Sequence, residues 1–245
     1  MATLLILGSK PDPVLPPLGA IDAVACANGS GFSAACHGLP TPGFTVMSAI
    51  LAVTASGQQT LEALRGLETD TLYFLPRPAR GGGVRKRVAR AVQDLRARPL
   101  ALKARLRRAQ YRYRRFVVRK PLENRLLLDH FCGHDAEVMA RTRAKHPSTG
   151  VMTLLIGMSS GDYDHFVLSG FSFELTHAYG DNPEIDQRGT LASRHADTDI
   201  AVLRAVVARC GRLYTTEPRV HEAAGVPLLP VTAGAVSADI PYSRA

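Results

Sequence analysis

The sequence predicts an α/β fold with a Rossmann-like open, mostly parallel sheet flanked by helices. Short continuous apolar runs, which are typical of strands buried on both faces, alternate along the chain with longer segments of helical spacing. Apolar residues make up 46% of the 245 residues, which is enough to bury a core. We therefore expect a single domain that spans residues 1–245.

Six apolar runs are predicted as strands because they are short and most of them end at glycine, proline or polar residues. The predicted strands are 3–7, 23–27, a segment within 45–54, 71–75, 165–168 and 213–215. Helices are predicted between them at 58–67, 84–95, 100–118, 135–144, 148–159 and 197–210. This alternation of strands and helices favours parallel strand pairing.

The segment at about 80–120 is predicted to form a basic helical insert. It contains sixteen Lys or Arg residues and a single acidic residue, Asp94, whereas the formal net charge of the whole chain is +9. The remainder of the chain is therefore acidic on balance. Apolar residues at mixed three- and four-residue spacing indicate two amphipathic helices that break near Pro99.

Cysteine usage and the N-terminal sequence bear on the compartment. None of the four cysteines forms a C-x-x-C pair, which argues against a zinc knuckle or a thioredoxin motif and favours a reducing compartment. The run from Met1 to Gly8 lacks the basic region and cleavage site of a signal peptide. No stretch approaches the roughly 20 apolar residues of a membrane span. We expect a cytoplasmic protein.

Polar and glycine-rich residues follow three of the predicted strands, where an open α/β sheet binds its ligands. These stretches are Gly8-Ser9-Lys10, Asn28-Gly29-Ser30-Gly31 and Gly170-Phe171-Ser172. Each one taken alone also fits an ordinary strand-to-helix turn. The first turn lacks G-x-G-x-x-G, so a dinucleotide fingerprint is not supported.

The stretch Pro147-Ser148-Thr149-Gly150 precedes an apolar helix. Backbone N–H groups and two hydroxyls at a helix N-terminus suit a phosphate group. A plain N-cap formed by Ser148 or Thr149 explains the same residues equally well. The sequence leaves both interpretations open.

Two histidines and two D-x-D triplets are the other candidates for chemistry. His177 and His195 lie in polar surroundings, in the same half of the chain as the candidate phosphate-binding stretch. This position favours a role in acid–base catalysis. The triplets 162–164 and 197–199 could hold a divalent cation. The first precedes a strand and the second opens a helix, so we interpret both as structural and expect no metal.

Four patches of the chain, read in order, resemble the four sialylmotifs of the animal-type sialyltransferases. The large motif is matched by Leu7-Gly8-Ser9, Gly19-Ala20-Ile21-Asp22 and Val24 to Asn28. The small motif is matched by Pro147 to Gly150, Val151 to Met158, Asp162 to Asp164 and Gly170-Phe171. The third and very small motifs are matched by His177 with Tyr179, and by His195 with Asp199 and a helix that ends at Gly211. The resemblance covers about the first 30 residues and residues 146–217. It indicates a bacterial relative with a role in polysaccharide biosynthesis.

The chain departs from the family pattern in three places. The large motif has Gly8-Ser9-Lys10 in place of an early Asn-Ser-Gly, and the spacing from His195 to Asp199 is one residue short. We do not expect the luminal, disulfide-bearing and membrane-anchored setting of the family. These departures leave two CMP-activated 2-keto acids open as the donor sugar, namely a sialic acid and Kdo (3-deoxy-manno-octulosonic acid).

The resemblance implies an inverting, metal-independent glycosyltransferase that uses a CMP-sugar as donor substrate and needs no cofactor. It implies that His195 is the general base that deprotonates the acceptor hydroxyl and that His177 stabilises the departing CMP. It also implies a donor-binding set formed by Gly8, Ser9, Asn28, Gly29, Ser148, Thr149, Gly150, Gly170 and Phe171. The acceptor would be a glycan or a lipid-linked glycan.

The basic insert suggests a partner. Docking onto the anionic inner leaflet of a membrane, where a lipid-linked acceptor lies, would use Arg107, Arg108, Arg112, Arg114 and Arg115. Nucleic-acid binding is the competing interpretation because a basic stripe is also its footprint, although no RNA-binding motif is present. The second function class is therefore a nucleotide- or nucleic-acid-binding α/β module without transferase activity.

Overall fold

The computed structural model describes residues 1–76, 97–176 and 192–229. Seven parallel strands form one sheet in the order β5-β4-β3-β2-β1-β6-β7. The strands are β1 (Thr3–Leu7), β2 (Ala23–Ala27), β3 (Phe44–Ser48), β4 (Glu68–Leu75), β5 (Arg112–Val118), β6 (His165–Ser169) and β7 (Leu213–Thr215). The predicted α/β class and parallel pairing are confirmed.

Eight α-helices lie in the described parts of the chain. They are α1 (Gly31–Cys36), α2 (Ala55–Ala63), α3 (Pro99–Arg108), α4 (Pro121–Phe131), α5 (Ala136–Ala144), α6 (Thr149–Ser160), α7 (Ala196–Val207) and α8 (Pro218–Ala224). Two short 3₁₀ helices cover Leu18–Ala20 and Ala49–Ala52. The sequence analysis did not predict α1, α4 or α8.

Alternate residues of the central strands point to opposite faces of the sheet, and both faces are buried. In β1, Leu4 and Ile6 pack with the large cluster under α4 to α8. Leu5 and Leu7 pack on the other face with Ala34 of α1. Burial on both faces is what makes a parallel strand read as an unbroken apolar run, so the sequence pattern and the packing agree.

The order of the strands reverses at β1. The chain adds β2 to β5 outward on one side of β1 and then returns to add β6 and β7 on the other side. The loops that follow β1 and β6 therefore diverge from adjacent strands, which leaves a crevice at the carboxyl edge. Gly8 and Gly170, which follow β1 and β6, lie in contact at the base of this crevice.

The prediction of one helix over 100–118 is wrong in its second half. Only Pro99–Arg108 is helical, and Arg112–Val118 is the edge strand β5, paired with β4. Tyr113 and Phe116 stand three residues apart and look helical in sequence, yet Phe116 stacks on Phe74 of β4. Aromatic and β-branched residues favour a strand once a neighbouring edge is present to pair with.

The predicted helix at 84–95 lies outside the described residues. The described part of the basic insert, 97–120, is integrated into the sheet through α3 and β5 rather than added to it as a helical appendage. In the parts of the chain that the structure describes, no helix is both long enough and apolar enough to cross a bilayer.

Candidate active site

A cleft of about 120 Å³ opens at the crevice between β1 and β6. It collects residues from five separate stretches of the chain. Its walls are formed by Gly8, Ser9, Ala27, Asn28, Ser148, Thr149, Gly150, Gly170, Phe171, Ser172, Phe173, Glu174, Ser193 and Asp199. Eight of the nine residues predicted to bind the donor line this cleft; Gly29 is buried and does not line it.

Two glycines bring the strand ends together at the floor of the cleft. A Cβ atom on Gly8 would lie 2.2 Å from the carbonyl oxygen of Gly170. Gly170 itself has a φ of +73°, a conformation in which side chains are strained. The N–H of Gly8 donates to the carbonyl of Ser169 at 2.8 Å, and the N–H of Lys10 donates to the carbonyl of Gly170 at 2.9 Å. This close backbone contact is possible because the residue at position 8 has no side chain.

Asn28 fixes the wall formed by the ends of β2 and β3. Its φ of +52° lies in the left-handed region, which Asn tolerates better than most residues. Its Oδ1 atom accepts a hydrogen bond from the N–H of Ser48 at 3.0 Å. Nearby, the fully buried hydroxyl of Ser30 donates to the carbonyl of Leu7 at 2.8 Å and so joins β2 to the end of β1.

The N-terminus of α6 forms the opposite wall. The N-cap interpretation of the Pro147–Gly150 stretch is confirmed, whereas phosphate binding at this stretch stays a prediction. Ser148 is the N-cap, since its Oγ accepts from the N–H of Val151 at 3.3 Å. Ser148, Thr149 and Gly150 also line the cleft. The N–H groups of Thr149 and Gly150 belong to the first turn, which has no intrahelical acceptors for them. Such groups favour an anionic ligand.

Asp199 contributes a buried carboxyl group to the cleft. It is 5% exposed, and its Oδ1 atom accepts from the N–H of Ser148 at 2.7 Å. Burial raises the pKa of Asp199 to about 7, because desolvation disfavours the charged form more than the bonds from Ser148 favour it. The second D-x-D triplet therefore supplies a residue that holds the N-terminus of α6, and its position in the cleft was not predicted.

His195 occupies the N-cap position of α7, close to the cleft but not among its described lining residues. Its Nδ1 atom lies 2.7 Å from the carbonyl oxygen of His146, and Arg194 Nε donates to its Nε2 at 3.3 Å. A carbonyl can only accept, so Nδ1 carries the proton and Nε2 keeps its lone pair. Asp199 does not orient this ring; the carbonyl of His146 does.

Burial lowers the pKa of His195 below its ordinary value, and the nearby charges of Arg194 and Lys145 act in the same direction. The bond to the carbonyl of His146 opposes this effect. The lowered pKa favours the neutral imidazole, which is the form that a general base requires.

His177, the other predicted catalytic residue, lies outside the described residues. Among the described lining residues of the cleft there is no Lys, Arg or His. Within this part of the site, an anion can be recognised by backbone N–H groups and by the hydroxyls of Ser9, Ser148 and Thr149.

The first D-x-D triplet lies at the opposite edge of the sheet. Oδ2 of Asp164 accepts from the N–H of Ala2, just before β1 begins, at 3.0 Å. A wider hollow of about 490 Å³ opens at the same amino edge, beside the first residues of β6 and β7. In residues 1–76, 97–176 and 192–229, no group of three His, Cys, Asp or Glu side chains is arranged to hold a metal ion.

The five arginines predicted to dock on a membrane fall into two groups. Arg107 and Arg108 are exposed at the end of α3. The remaining three lie on β5 and form ion pairs with acids of β4; the pairs are Arg112–Glu68 at 3.1 Å, Arg114–Asp70 at 3.1 Å and Arg115–Asp70 at 3.5 Å. The charge of β5 is therefore partly balanced within the sheet.

Sequence reasoning missed several cleft residues, namely Ala27, Ser172, Phe173, Glu174, Ser193 and Asp199. The contact that brings the last two near the β6 loop is a bond from the N–H of Ser193 to the carbonyl of Phe173 at 2.9 Å. Ser172 belongs to the turn Gly170-Phe171-Ser172 that the sequence analysis singled out, so membership of that turn was the signal that could have placed it in the cleft. Ala27, Phe173 and Glu174 are also chain neighbours of residues already singled out, whereas Ser193 and Asp199 reach the cleft through contacts that the sequence does not encode locally.

No protein-family model and no curated protein sequence matches this chain. Among solved structures it is similar to the sialyltransferase CstII from Campylobacter jejuni in complex with a substrate analogue, CMP-3FNeuAc. The sequence identity is 13% and the TM-score is 0.48, and the match covers 94% of this chain and 87% of that chain. It is also similar to a structure of the sialyltransferase Cst-II in complex with CMP, with 15% identity, a TM-score of 0.49 and the same coverages.

The monofunctional alpha-2,3-sialyltransferase Cst-I from Campylobacter jejuni is similar over 99% of this chain and 86% of that chain, at 14% identity and a TM-score of 0.42. These structural neighbours are sialyltransferases, the family that the sequence motifs resemble. At such identities the activity has to be argued from the residues of this chain.

Proposed function

We propose that this protein is an inverting glycosyltransferase that transfers a 2-keto acid sugar from a CMP-activated donor to a glycan or lipid-linked acceptor. The observation that carries the proposal is the cleft at the crevice between β1 and β6. Eight residues taken from motifs far apart in sequence meet there, at the edge where an open α/β sheet binds ligands.

The N-terminus of α6 is the proposed binding place for the phosphate of CMP. Its first-turn N–H groups and the hydroxyls of Ser148 and Thr149 suit an anion. Asn28 and the Gly8–Ser9 turn would complete the nucleotide pocket on the other wall. His177 is proposed to act on the phosphate, as the resemblance implies.

The reaction is proposed as a direct displacement. The acceptor hydroxyl oxygen forms a bond to the anomeric carbon, the bond from that carbon to the phosphate oxygen breaks, and CMP departs with its electron pair. The acceptor proton passes to Nε2 of His195, which holds the lone pair. A leaving phosphate stabilised by a helix N-terminus requires no metal ion.

Binding of CMP tests the proposal most directly. Titration calorimetry with CMP and with AMP, each accompanied by a thermal shift, should show binding and stabilisation by CMP alone. Salt-sensitive RNA binding without CMP binding would instead favour the nucleic-acid module. Transfer assays with CMP-sialic acid and CMP-Kdo would then identify the donor sugar.

We also propose that the basic face formed by α3 and β5 holds the enzyme at an anionic membrane surface, near a lipid-linked acceptor. Arg107 and Arg108 supply its exposed cationic end. Each basic residue close to an anionic membrane surface contributes about 1 kcal/mol to the free energy of membrane binding. This role would make the protein a peripheral protein on the inner leaflet.

A further inference from the structure

Glu217 is a buried carboxylate that neither the sequence motifs nor the proposed reaction uses. It lies at the carboxyl end of β7, as the N-cap residue of α8, and is 2% exposed. Its Oε1 atom accepts from the N–H of Gly170 at 2.8 Å and from the N–H of Val14 at 3.1 Å. Its Oε2 atom accepts from Nζ of Lys10 at 2.6 Å.

These bonds join the two loops that diverge at the crevice. Lys10 and Val14 belong to the loop after β1, whereas Gly170 follows β6 and lines the cleft. The hydroxyl of Ser169 reinforces the same connection by donating to the carbonyl of Val14 at 2.8 Å. Glu217 therefore joins the loop after β1 to the loop after β6.

The two oxygens of Glu217 have separate tasks. Oε1 accepts both backbone N–H groups, while Oε2 pairs with Lys10, whose side chain is 31% exposed. A buried ion pair by itself often contributes little net stability, because desolvation offsets the attraction. A buried backbone N–H without an acceptor is costly, so Oε1 is the atom that decides the geometry of Gly170.

We propose that Glu217 is a positioning residue for the donor cleft, acting through Gly170. By supplying an acceptor to the N–H groups of Gly170 and Val14, it holds the β6 loop against Gly8, where no side chain could fit. This inference rests on the proposed function, because the cleft it organises is the proposed CMP site.

Two variants separate the acceptor from the charge. Glu217→Gln in a Lys10→Met background keeps an oxygen acceptor for both backbone N–H groups and loses the ion pair. Glu217→Asp keeps the charge but is one methylene shorter, which withdraws the acceptor. We expect the Gln variant to bind CMP within about threefold of wild type and the Asp variant to lose about tenfold, the usual scale for a buried hydrogen bond.

Leu102→Ala is the control for a loss of stability alone, since Leu102 is fully buried in the cluster beside α2 and α3, away from the cleft. It should lower the melting temperature and leave CMP affinity unchanged. Equal CMP affinity in the Asp variant and wild type would overturn the proposal. So would a tenfold loss in the Gln variant.

Amide hydrogen exchange at Gly170 gives a readout that does not depend on CMP. Exchange should be faster in the Asp variant and unchanged in the Gln variant. If wild type fails to bind CMP while this pattern holds, the proposed function fails and the positioning role remains. Equal protection of Gly170 in both variants would refute the positioning role itself.

Discussion

The chemistry of His195 depends on a single backbone carbonyl. Because Nδ1–H donates to the carbonyl of His146, the lone pair is left on Nε2, and burial favours the neutral ring. Arg194 Nε donates weakly to the same Nε2, so the proposed base catalysis requires that this bond be exchanged for one from the acceptor hydroxyl. In that proposal the backbone carbonyl of His146, and not a neighbouring acid, orients the ring.

His195→Ala is expected to lower kcat by roughly 10²–10⁴-fold, which is the usual contribution of a general base. CMP affinity should change little, because a base touches the acceptor. Steady-state kinetics and calorimetry on the same preparations measure both effects. His37→Ala, which alters an exposed histidine, is the control. A folded His195→Ala protein with wild-type kcat would end the assignment.

Asp199 makes the stability of the protein dependent on pH. Its folded pKa of about 7 exceeds the unfolded value of about 3.9, so between these values the folded state holds a proton that the unfolded state releases. Stability should therefore fall as the pH rises from about 4 to about 7, and the loss should be complete above that range.

Asp199→Asn is expected to reduce this pH dependence while keeping an oxygen acceptor for the N–H of Ser148. Melting temperatures measured at pH 5 and pH 8 should differ less in the variant than in wild type. Asp197→Asn, an exposed carboxylate in the same helical turn, should retain the wild-type dependence. Identical pH profiles for wild type and Asp199→Asn would contradict the pKa shift.

Among the elements, α6 combines a buried core helix with an N-terminus that lines the cleft. Residues Val151 to Gly157 are buried, so the helix axis is fixed by packing across β1, β2 and β3. Its first turn comes close to Phe171 because Gly150 has no side chain: a Cβ there would lie 2.7 Å from Cε1 of Phe171. The position of the first-turn N–H groups thus depends on one glycine.

Gly150→Ala should force Phe171 or the helix to shift. Overpacking of this kind costs about 1–3 kcal/mol and should weaken CMP binding together with stability. Denaturant unfolding and calorimetry measure the two effects. Gly211→Ala places its methyl group in open space and is the matched control. Unchanged CMP affinity in Gly150→Ala would show that the first turn of α6 does not belong to the donor site.

The strand β5 and the helix α3 differ in how much of their charge is available to a partner. Neutralising all five arginines should weaken binding to anionic liposomes and leave CMP affinity nearly unchanged. Replacing Arg107 and Arg108 with Gln should reduce binding more than replacing Arg114 and Arg115, because the latter pair with Asp70. Co-sedimentation with liposomes at about 0.15 M salt, where the Debye length is ~8 Å, checks this order. Liposome binding that survives all five changes would remove the docking proposal.

At the scale of the whole molecule, the reversal of strand order locates the cleft. In the sheet that the structure describes, the loops of neighbouring strands diverge at β1, and the first D-x-D triplet lies at the other end of the same strands. The second triplet uses Asp199 to hold a backbone N–H. Neither triplet therefore offers two carboxylates to a cation at the cleft.

Activity is accordingly expected to survive EDTA. Transfer rates measured with and without the chelator should agree within experimental error, and added Mg²⁺ or Mn²⁺ should not raise them. A loss of turnover on chelation that either cation restores would reject the metal-independent mechanism.

The sequence alone determined the fold class and most of the cleft, for a physical reason. Strands buried on both faces need unbroken apolar runs, and their ends need glycine or polar residues, so both signals are local. The same signals marked Gly8, Asn28 and Gly170, and the stretch that caps α6.

Only the tertiary structure decided which distant groups meet. The edge strand β5 was mistaken for a helix because its pairing energy comes from β4, which no local pattern records. Asp199 was interpreted as an ordinary helix-start acid and Glu217 was not singled out at all, yet each accepts from backbone N–H groups some 50 residues away or more. Their roles arise from hydrogen bonds across the crevice, and those bonds exist only after the sheet has brought the loops together.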